Sequence, residues 1–410
     1  MSRLAAFRRF AVLGIGAATI VSACAGSPIL ANPPLSFPSP EVTAAPASRP
    51  PDPIPIQLPR DDGPHDRLTE WWYYTGHLKT DDGRTFGFEF VVFQARRGSV
   101  PAAWASHLAL TDEAGQHFIY AQRSEVGPQV DQSPRDANGN PAGFDLQVSG
   151  LSPTLIQAGA HPLAMPWRMA GANGRDHLSA ALAPDEAAAS GTPFGLNLTL
   201  TSTKPAVLHN GNGFVDFGSA GSSYYYSRTR MTATGTLRLG SANLTVTGIA
   251  WFDHQWGDFV SVGAGGWNWF AINLDDGTDI MVSDVLDQQA NSVSLYATVV
   301  DPDGTSHEIN NADPGIGVSA AQFQSWTSPT TGRIWPQEWS VLFPGYSLLL
   351  QSNLQSQELD TRATTGVVYW EGSHEVTGFK DVDPFEDPSN GHPITGKAYV
   401  EITRYDPIVP

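Results

Sequence analysis

Short runs of alternating apolar and polar residues, separated by tight turns, constrain the fold of this sequence most strongly. In 86–92 the large apolar side chains fall at every second position, and 196–201 repeats that spacing with leucines. A period of two is typical of strands with one buried face. The turn pairs between such runs are Asp82-Gly83, Asn138-Gly139, Asp276-Gly277 and Asp303-Gly304. Because these pairs favour hairpins, the pattern predicts an all-β fold of barrels or sandwiches.

One segment of the sequence occurs twice. Residues 71–83 begin with four aromatic residues and end in Asp-Asp-Gly, and residues 267–277 begin with Trp-Asn-Trp-Phe and also end in Asp-Asp-Gly. Two such copies in separate halves predict two related β domains packed together, which we place at 60–230 and 231–410. The alternative is two unrelated hairpins, since Asp-Gly turns are common.

The N-terminus has the layout of a bacterial export signal. Three arginines precede a short apolar run at 10–20, and the chain's one cysteine, Cys24, follows Val-Ser-Ala. The run is too short to span a bilayer. We therefore predict a lipoprotein signal peptide at 1–23 and lipidation of Cys24, with an ordinary secretory peptide as the alternative. Ala25 favours the outer membrane, on its periplasmic side, in a Gram-negative cell, and the proline-rich stretch 24–59 predicts a tether.

Charge and motif content exclude several classes of function. The formal net charge is −18, which disfavours nucleic acid and anionic headgroups and leaves membrane attachment to the lipid anchor. The sequence has no zinc, calcium or phosphate-binding motif and no G-x-S-x-G elbow. We therefore expect no metal, no organic cofactor and no nucleic-acid partner, and a neutral, apolar ligand fits this balance best.

Several motifs resemble those of the CrtC/AttH-like family, which includes carotenoid hydratases. They are Glu70-Trp71-Trp72-Tyr73-Tyr74-Thr75-Gly76-His77-Leu78, Phe86-Gly87-Phe88-Glu89, His107-Leu108-Ala109-Leu110-Thr111-Asp112, Tyr225-Tyr226-Ser227-Arg228-Thr229-Arg230-Met231, Gly248-Ile249-Ala250-Trp251-Phe252-Asp253-His254-Gln255-Trp256-Gly257, Tyr369-Trp370-Glu371-Gly372 and Gly396-Lys397-Ala398-Tyr399-Val400-Glu401-Ile402-Thr403. The resemblance implies two tandem lipocalin-like domains without a cofactor. Such a domain leaves room for one apolar ligand among aromatic side chains. The ligand-binding candidates are Trp72, Tyr74, Trp251, Trp267 and Trp269.

The run 253–256 concentrates groups that suit alkene hydration. On a strand, His254 and Trp256 share one face, whereas Asp253 and Gln255 share the other. Hydration needs a proton donor, and an indole face stabilises a carbocation. The alternative for His254 is a structural one: a buried histidine bonded to Asp258 or to a backbone carbonyl, beside a packed tryptophan.

The resemblance supports a catalytic role for part of this run. His254 and Trp256 match a His-any-Trp pair of carotenoid hydratases, and Asp284 matches a carboxylate on a following strand. Those enzymes have a tyrosine two residues before that carboxylate, where this chain has Val282. The predicted catalytic residues are thus His254, Trp256 and Asp284.

We interpret four glutamates as structural, because they flank aromatic residues near strand ends. They are Glu70, Glu89, Glu371 and Glu401. We expect them to bind backbone amides or to pair with Arg228 and Arg230.

Two functions fit the sequence. The first is an envelope lipoprotein that binds an isoprenoid or polyene-type lipid and hydrates or isomerises it without a cofactor, as a hydro-lyase resembling carotenoid hydratases. The second is a non-catalytic carrier of apolar cargo that works with an ABC-type exporter, a partner that the resemblance implies.

Overall fold

The computed structural model describes residues 51–150, 165–217, 221–259, 265–310, 313, 315–321 and 323–404. The predicted signal peptide, Cys24 and most of the tether lie outside the described residues. Strands dominate the described part, and the prediction of an all-β fold with two lipocalin-like halves is confirmed. No helix in the described segments is long and apolar enough to cross a membrane.

The first half of the chain forms one antiparallel sheet and a short helix. The strands are β1 Thr69–Thr80, β2 Thr85–Ala95, β3 Ala103–Asp112, β4 His117–Val126, β5 Phe144–Val148, β6 Trp167–Ala172, β7 Arg175–Ala181, β8 Phe194–Ser202, β9 Val207–Leu208, β10 Phe214–Asp216, β11 Ser222–Leu239 and β12 Ala242–Gly257. The helix α1, Pro184–Ser190, begins at a proline, which the first helical position tolerates because its amide needs no partner there. The sheet order is β4-β3-β2-β1-β12-β11-β8-β7-β6-β5.

The second half forms a similar curled sheet. Its strands are β13 Gly266–Leu274, β14 Asp279–Leu286, β15 Ser292–Val300, β16 Ser306–Asn310, β17 Gly317–Ala320, β18 Ser325–Thr327, β19 Ile334–Pro336, β20 Glu338–Phe343, β21 Tyr346–Ser352, β22 Glu358–Asp360, β23 Val368–Lys380 and β24 His392–Arg404. Single 3-10 turns occur at Arg60–Asp62, Pro128–Val130, His209–Gly211 and Pro388–Asn390. The main sheet order is β16-β15-β14-β13-β24-β23-β21-β20-β17, and β18 pairs with β19.

The internal repeat corresponds to the same place in both sheets. Residues 71–83 form β1 and its turn into β2, and residues 267–277 form β13 and its turn into β14. In each sheet this first strand also pairs with the last one, β12 or β24. The two sheets therefore share one topology, as expected of related domains.

The two sheets divide the chain later than we predicted. The expected boundary at 230 falls inside β11, which pairs with β12 along most of its length. The first sheet therefore continues to Gly257, and the second begins at Gly266. The physical reason is that β12 closes the first sheet against β1, so the rest of β11 and all of β12 belong to the first half.

Both faces of β1 are buried. The side chains of Trp72 and Tyr74 pack into the core inside the first sheet, whereas Tyr73 packs with Trp269 and Tyr399 of the second sheet. The sheets thus lie against each other through their outer faces, and each has its own core on its inner face. This arrangement explains why β1 contains consecutive aromatic residues rather than strict alternation.

A buried carboxylate connects the halves at one end of this interface. Asp279 of β14 is fully buried, and its oxygens lie 2.7 Å from Lys204 Nζ and 2.7 Å from Arg230 Nη2. Thr229 donates a third bond to it at 3.0 Å. These three partners belong to the first half, so Asp279 couples the two sheets by charge-assisted hydrogen bonds.

The arginines do not pair with the glutamates as we predicted. Arg228 forms an ion pair of 3.0 Å with Asp62, and Arg230 pairs with Asp279. The reason is a bulge in β11 between residues 228 and 231, which changes the direction of the strand where the two arginines lie. The arginine side chains therefore lie away from the middle of the interface.

Candidate functional site

A cavity of about 120 Å³ lies between the outer faces of the two sheets. Aromatic side chains are the largest group in its wall. They are Trp71, Tyr73, Phe93, Phe217, Tyr225, Phe259, Trp267, Trp269, Tyr296 and Tyr369. Corresponding positions of the two sheets contribute in pairs, since Trp71 and Trp267 are equivalent in the repeat, as are Tyr73 and Trp269. The wall of the cavity is therefore built from equivalent positions of the two halves.

Four carboxyl groups line this largely aromatic cavity. They belong to Glu89, Asp253, Glu371 and Glu401. In the sheet registers Asp253 pairs with Tyr73, and Glu401 pairs with Trp269, so the two acids are also equivalent in the repeat. Carboxyl groups buried among aromatic rings lose hydration, which favours their protonated form.

Glu89 and Glu371 carry the strongest perturbations. Burial raises the pKa of Glu89 to about 8. Burial, with the charges of Glu89 and Glu401, raises the pKa of Glu371 well above its usual range. Tyr73 donates a hydrogen bond to Glu371, and Tyr369 donates one to Glu89 at 2.9 Å. Within the described part of the chain, the second oxygen of each carboxyl has no hydrogen-bond partner.

Asp253 is the carboxyl with the most donors around it. Tyr225 donates to Oδ2 at 2.6 Å, Trp251 donates to Oδ1 at 2.7 Å, and Ser227 also donates to Oδ1. Burial raises the pKa of Asp253 to about 6 in spite of these three bonds, which favour the ionised form. At neutral pH this group is therefore mostly an acceptor, close to its titration point.

Glu401 lies beside Trp267 of β13. Trp267 donates to its Oε1 at 3.0 Å, and Thr403 donates at 2.8 Å. Burial raises the pKa of Glu401 to about 7. The cavity thus combines proton donors and acceptors that exchange roles near neutral pH, which is what general acid–base chemistry needs.

The predicted face of β12 points away from this cavity. As we expected, His254 and Trp256 share one face and Asp253 and Gln255 share the other, but it is the second pair that lines the cavity. His254 is fully buried inside the first sheet, with Nε2 2.8 Å from Glu70 Oε1. Its structural alternative named Asp258 or a carbonyl as partner, whereas the actual partner is Glu70.

Glu70 joins two histidines into a triad. His65 Nδ1 lies 2.7 Å from the same Glu70 oxygen that His254 approaches, and the His65 ring stacks on Trp256 at 4.1 Å. The ligating atoms of the three residues lie within 4.8 Å of one another, a distance that suits a metal ion. Both nitrogens are nevertheless at hydrogen-bond distance from one oxygen, so the geometry is that of a hydrogen-bonded triad.

In the triad, burial and the charge of Glu70 shift the pKa of each histidine in opposite directions. Burial lowers the pKa of His254, and the hydrogen bond to Glu70 does not reverse this. Burial would also lower the pKa of His65, but the charge of Glu70 and bonds to Asp61 and Glu70 raise it. Both imidazoles bond the Glu70 carboxylate of β1. The triad therefore holds the segment that contains His65, just before β1, close to His254 of β12.

The third predicted catalytic residue is in the other half. Asp284 of β14 accepts a hydrogen bond of 2.9 Å from Asn268, on the inner face of the second sheet. Its neighbours Ser283 and Val285 line the cavity instead. The structure thus keeps His254 and Trp256 together and separates Asp284 from them.

The predicted ligand-binding aromatic residues also divide between two faces. Trp267 and Trp269 line the cavity. Trp72 and Tyr74 lie inside the first sheet, where Trp72 donates to the Asp62 carbonyl and Tyr74 to Asp176. Trp251 is in the layer between the sheets, where it donates to Asp253. The space that we expected inside a barrel is filled by side chains, and the described cavity lies between the barrels.

Comparison with known proteins now decides the family. A sequence model described as AttH-like matches residues 49–405. The chain belongs to the AttH-like family. Among solved structures, a protein described as AttH from Nitrosomonas europaea is 26% identical, with a TM-score of 0.66, over 86% of this chain and 98% of that one. A search of curated proteins finds no match.

The fold is shared with an enzyme. The crystal structure of kievitone hydratase from Nectria haematococca has a TM-score of 0.57 at 16% identity, over 85% of this chain and 93% of that one. At this identity the comparison concerns the fold alone. The predicted resemblance to the CrtC/AttH-like family is confirmed, and the fold is one that also supports a hydratase.

The four acidic residues that line the cavity of this AttH-like chain were not among the predicted site residues. Glu89, Glu371 and Glu401 were interpreted as structural, and Asp253 was assigned to the face opposite the active one. The repeated segments 71–83 and 267–277 contain neither Asp253 nor Glu401, whose equivalence appears only in the strand pairing, opposite Tyr73 and Trp269. A carboxylate kept at the same place in both copies, within an apolar run, indicates a shared surface rather than two separate ends.

The raised pKa of Glu401 predicts a pH-dependent stability. Because its pKa is about 7 when folded and 4.5 ordinarily, folding holds the proton more tightly, and the chain loses stability as pH rises through that window. We expect the free energy of unfolding of Glu401→Gln to be about 2–3 kcal/mol higher than that of the parent protein near pH 8. Near pH 5 the two free energies should differ little. Urea unfolding at both pH values measures this.

Because variant and parent are compared at the same pH, the effect of all other titrating groups on the free energy of unfolding cancels. Burial lowers the pKa of His107, His209 and His374 to about 3, so these residues lower stability in both chains as pH falls below about 6.5. Asp185→Asn, which removes an exposed carboxylate of α1, is the matched control. A Glu401→Gln variant that follows the control at both pH values contradicts the assignment.

Proposed function

We propose that this protein is a cofactor-independent acid–base enzyme that hydrates an isoprenoid or polyene-type alkene in the cavity between its two sheets. The observation that carries the proposal is the set of four carboxyl groups, with raised pKa values, in an aromatic wall. A purely apolar carrier gains nothing from buried carboxyl groups, which cost stability at neutral pH. Family membership and the shared fold of a hydratase support the proposal.

In the proposed reaction two carboxyl groups act in sequence. Burial and the charges of Glu89 and Glu401 favour the protonated form of Glu371, which transfers its proton to one alkene carbon and leaves a tertiary carbocation next to that carbon. The indole faces of Trp267 and Trp269 stabilise that charge. A water molecule adds its oxygen to the cation, and Asp253 takes a proton from that water. The product is a tertiary alcohol, and one proton has moved from Glu371 to Asp253.

The size of the cavity indicates which part of a ligand enters. Its volume of about 120 Å³ is close to that of engineered cavities that bind benzene. One branched isoprenoid end fits this space, whereas the rest of a long polyene has to lie outside it. The substrate class is therefore an apolar chain with a terminal isoprenoid double bond.

The direct test uses citronellol, a small alcohol with one isoprenoid end. Incubation in heavy-oxygen water and mass spectrometry should show a labelled tertiary alcohol at a rate well above the protein-free reaction. Ligand binding is measured separately, by quenching of tryptophan fluorescence with citronellol and squalene. Binding without any labelled product would refute the enzyme and favour the carrier that hands apolar cargo to an ABC-type exporter.

Filling the cavity tests its location. Ser283 lines the cavity, and an indole at this position occupies most of the space. We expect Ser283→Trp to weaken binding of both ligands by about 100-fold or more and to abolish product formation. The control is Ser292→Trp, at an exposed position of β15. Undiminished binding by Ser283→Trp in a folded protein would place the ligand elsewhere.

The cellular location is a further part of the proposal. Cys24 carries a lipid that holds the protein at the outer membrane, and the proline-rich tether lets the folded part reach apolar substrates there. We expect Cys24→Ser to move the protein from the membrane fraction to the periplasmic fraction. Cells that retain the variant in the membrane fraction would contradict lipid anchoring at this residue.

A further inference from the structure

A continuous row of hydrogen bonds leads from the cavity to a second hollow on the protein. Ser227 contacts Asp253, and its Oγ lies 2.6 Å from His209 Nε2. His209 Nδ1 lies 2.8 Å from Thr298 Oγ1, which lies 2.9 Å from Glu308 Oε2. Ser227, His209 and Thr298 are fully buried. The five groups thus form an unbroken row with a titratable carboxyl at each end.

The far end of the row is accessible to water. Glu308 is half-buried and lines a hollow of about 340 Å³, whose wall includes the exposed residues Asp216 and Asn310. Tyr296 lines both this hollow and the aromatic cavity, so the two spaces are neighbours. Asp253, in contrast, is buried at the near end. The row therefore connects the buried carboxyl of Asp253 with a carboxyl that lines a solvent-exposed hollow.

We propose that Ser227, His209, Thr298 and Glu308 form a proton relay that exchanges the proton of Asp253 with solvent while the cavity is occupied. The inference rests on the proposed function, because that reaction leaves an extra proton on Asp253. Once the reacting water has become part of the product, the product in the cavity keeps further water away from this carboxyl on the cavity side. The relay gives the proton another way out.

Each transfer in the relay has a donor and an acceptor. Protonated Asp253 gives its proton to Ser227 Oγ, which gives its own to His209 Nε2. His209 then releases its Nδ1 proton to Thr298 Oγ1, and Thr298 passes its own to the Glu308 carboxylate. Every intermediate group ends with the same number of protons, and His209 has changed tautomer. The net result is one proton moved from Asp253 to Glu308.

The protonation state of His209 suits this role. Burial lowers its pKa to about 3, so the ring is neutral and has one donor and one acceptor nitrogen. The pKa of Glu308 is raised by burial, and that of Asp253 is about 6. Burial thus favours the protonated form of the carboxyl at each end of the row.

A second row of similar composition shows what distinguishes the relay. On the other side of the cavity Tyr369 donates to Glu89, and its hydroxyl lies 2.7 Å from His107 Nδ1. His107 Nε2 lies 3.0 Å from Thr364 Oγ1, which donates to the Gln122 amide oxygen. An amide does not take up a proton, so this row ends without an exit. Of these two rows, the one through His209 ends on a group that titrates.

The test measures proton exchange directly and needs no turnover. A photochemical pH jump, followed by time-resolved infrared spectroscopy, reports the protonation rate of Asp253; the carboxyl band is assigned by its loss in Asp253→Asn. All measurements use the Ser283→Trp background, where the indole fills the cavity. We expect Thr298→Val and Glu308→Gln to slow protonation by about tenfold or more, and Thr298→Ser to retain the parent rate.

The outcomes separate this inference from the proposed function. Equal rates in the parent, Thr298→Val and Thr298→Ser proteins would overturn the relay, whether or not the protein hydrates alkenes. Slow exchange in Thr298→Val alone, with Glu308→Gln unchanged, would also overturn it, because the exit would then be elsewhere. The expected rates in this background, together with no hydratase activity of the parent protein that retains Ser283, would support the relay and refute the proposed function.

Discussion

Asp253→Asn should lower the rate of alkene hydration by about 10²–10⁴-fold, the range for loss of a general base. The amide keeps the shape of the side chain, and its oxygen can still accept from Trp251, which lies 2.7 Å from Oδ1. The hydroxyl of Tyr225, 2.6 Å from Oδ2, then faces the amide nitrogen and can accept a hydrogen bond from it. It cannot accept the proton that water loses when it attacks the cation. We therefore expect a loss of kcat with little change in ligand affinity.

Steady-state kinetics on citronellol and fluorescence titration measure the two effects separately. Glu371→Gln should lose activity to a similar extent, since the proton donor is removed, and Asp185→Asn should behave as the parent protein. A folded Asp253→Asn protein with more than about a tenth of the parent kcat would show that another group takes the proton. A large change in affinity alone would show that Asp253 binds the ligand rather than reacting with it.

Asp279→Ala should lower the free energy of unfolding by about 3–5 kcal/mol, because it leaves the buried Lys204 and the partly buried Arg230 without their counter-ion. Lys204 Nζ and Arg230 Nη2 each lie 2.7 Å from the carboxylate, and Lys204 is only 8% exposed. The same change removes the acceptor for Thr229 and Asn273 at the junction of the two sheets. The loss concerns the contact between the halves as well as one strand.

Urea unfolding at pH 7 measures this loss, and Asp279→Asn should show a smaller one because the amide oxygen still accepts hydrogen bonds. Asp185→Ala, at an exposed position of α1, should change stability by less than about 0.5 kcal/mol. A decrease below about 1 kcal/mol for Asp279→Ala would show that Lys204 and Arg230 find other partners or reach water.

Local pattern was sufficient to predict much of this molecule. Alternation and Asp-Gly turns predicted an all-β fold, and the repeated segment predicted two related halves, because both are properties of neighbouring residues along one strand or turn. Alternation also correctly placed Asp253 and His254 on opposite faces of β12. The motifs from Glu70 to Thr403 were specific enough to predict the family.

Alternation along a strand does not show which of its two faces borders a cavity. In a single barrel the inward face holds the ligand. We assigned His254 and Trp256 to the site because they match a His-any-Trp pair of carotenoid hydratases and share one face of their strand. Here two sheets pack through their outer faces, so both faces of β1 and of residues 250–257 of β12 are largely buried. The closed core inside the first sheet, and the open space between the sheets, result from that packing.

The sequence by itself thus determined the strands, their turns, the doubled topology and the composition of each strand face. The tertiary structure alone decided that Glu89, Asp253, Glu371 and Glu401 meet in one cavity and that Asp284 does not join them. The physical reason is that strand periodicity depends on local sterics, whereas the meeting of these carboxyl groups depends on how two sheets, far apart along the chain, bury their outer faces against each other.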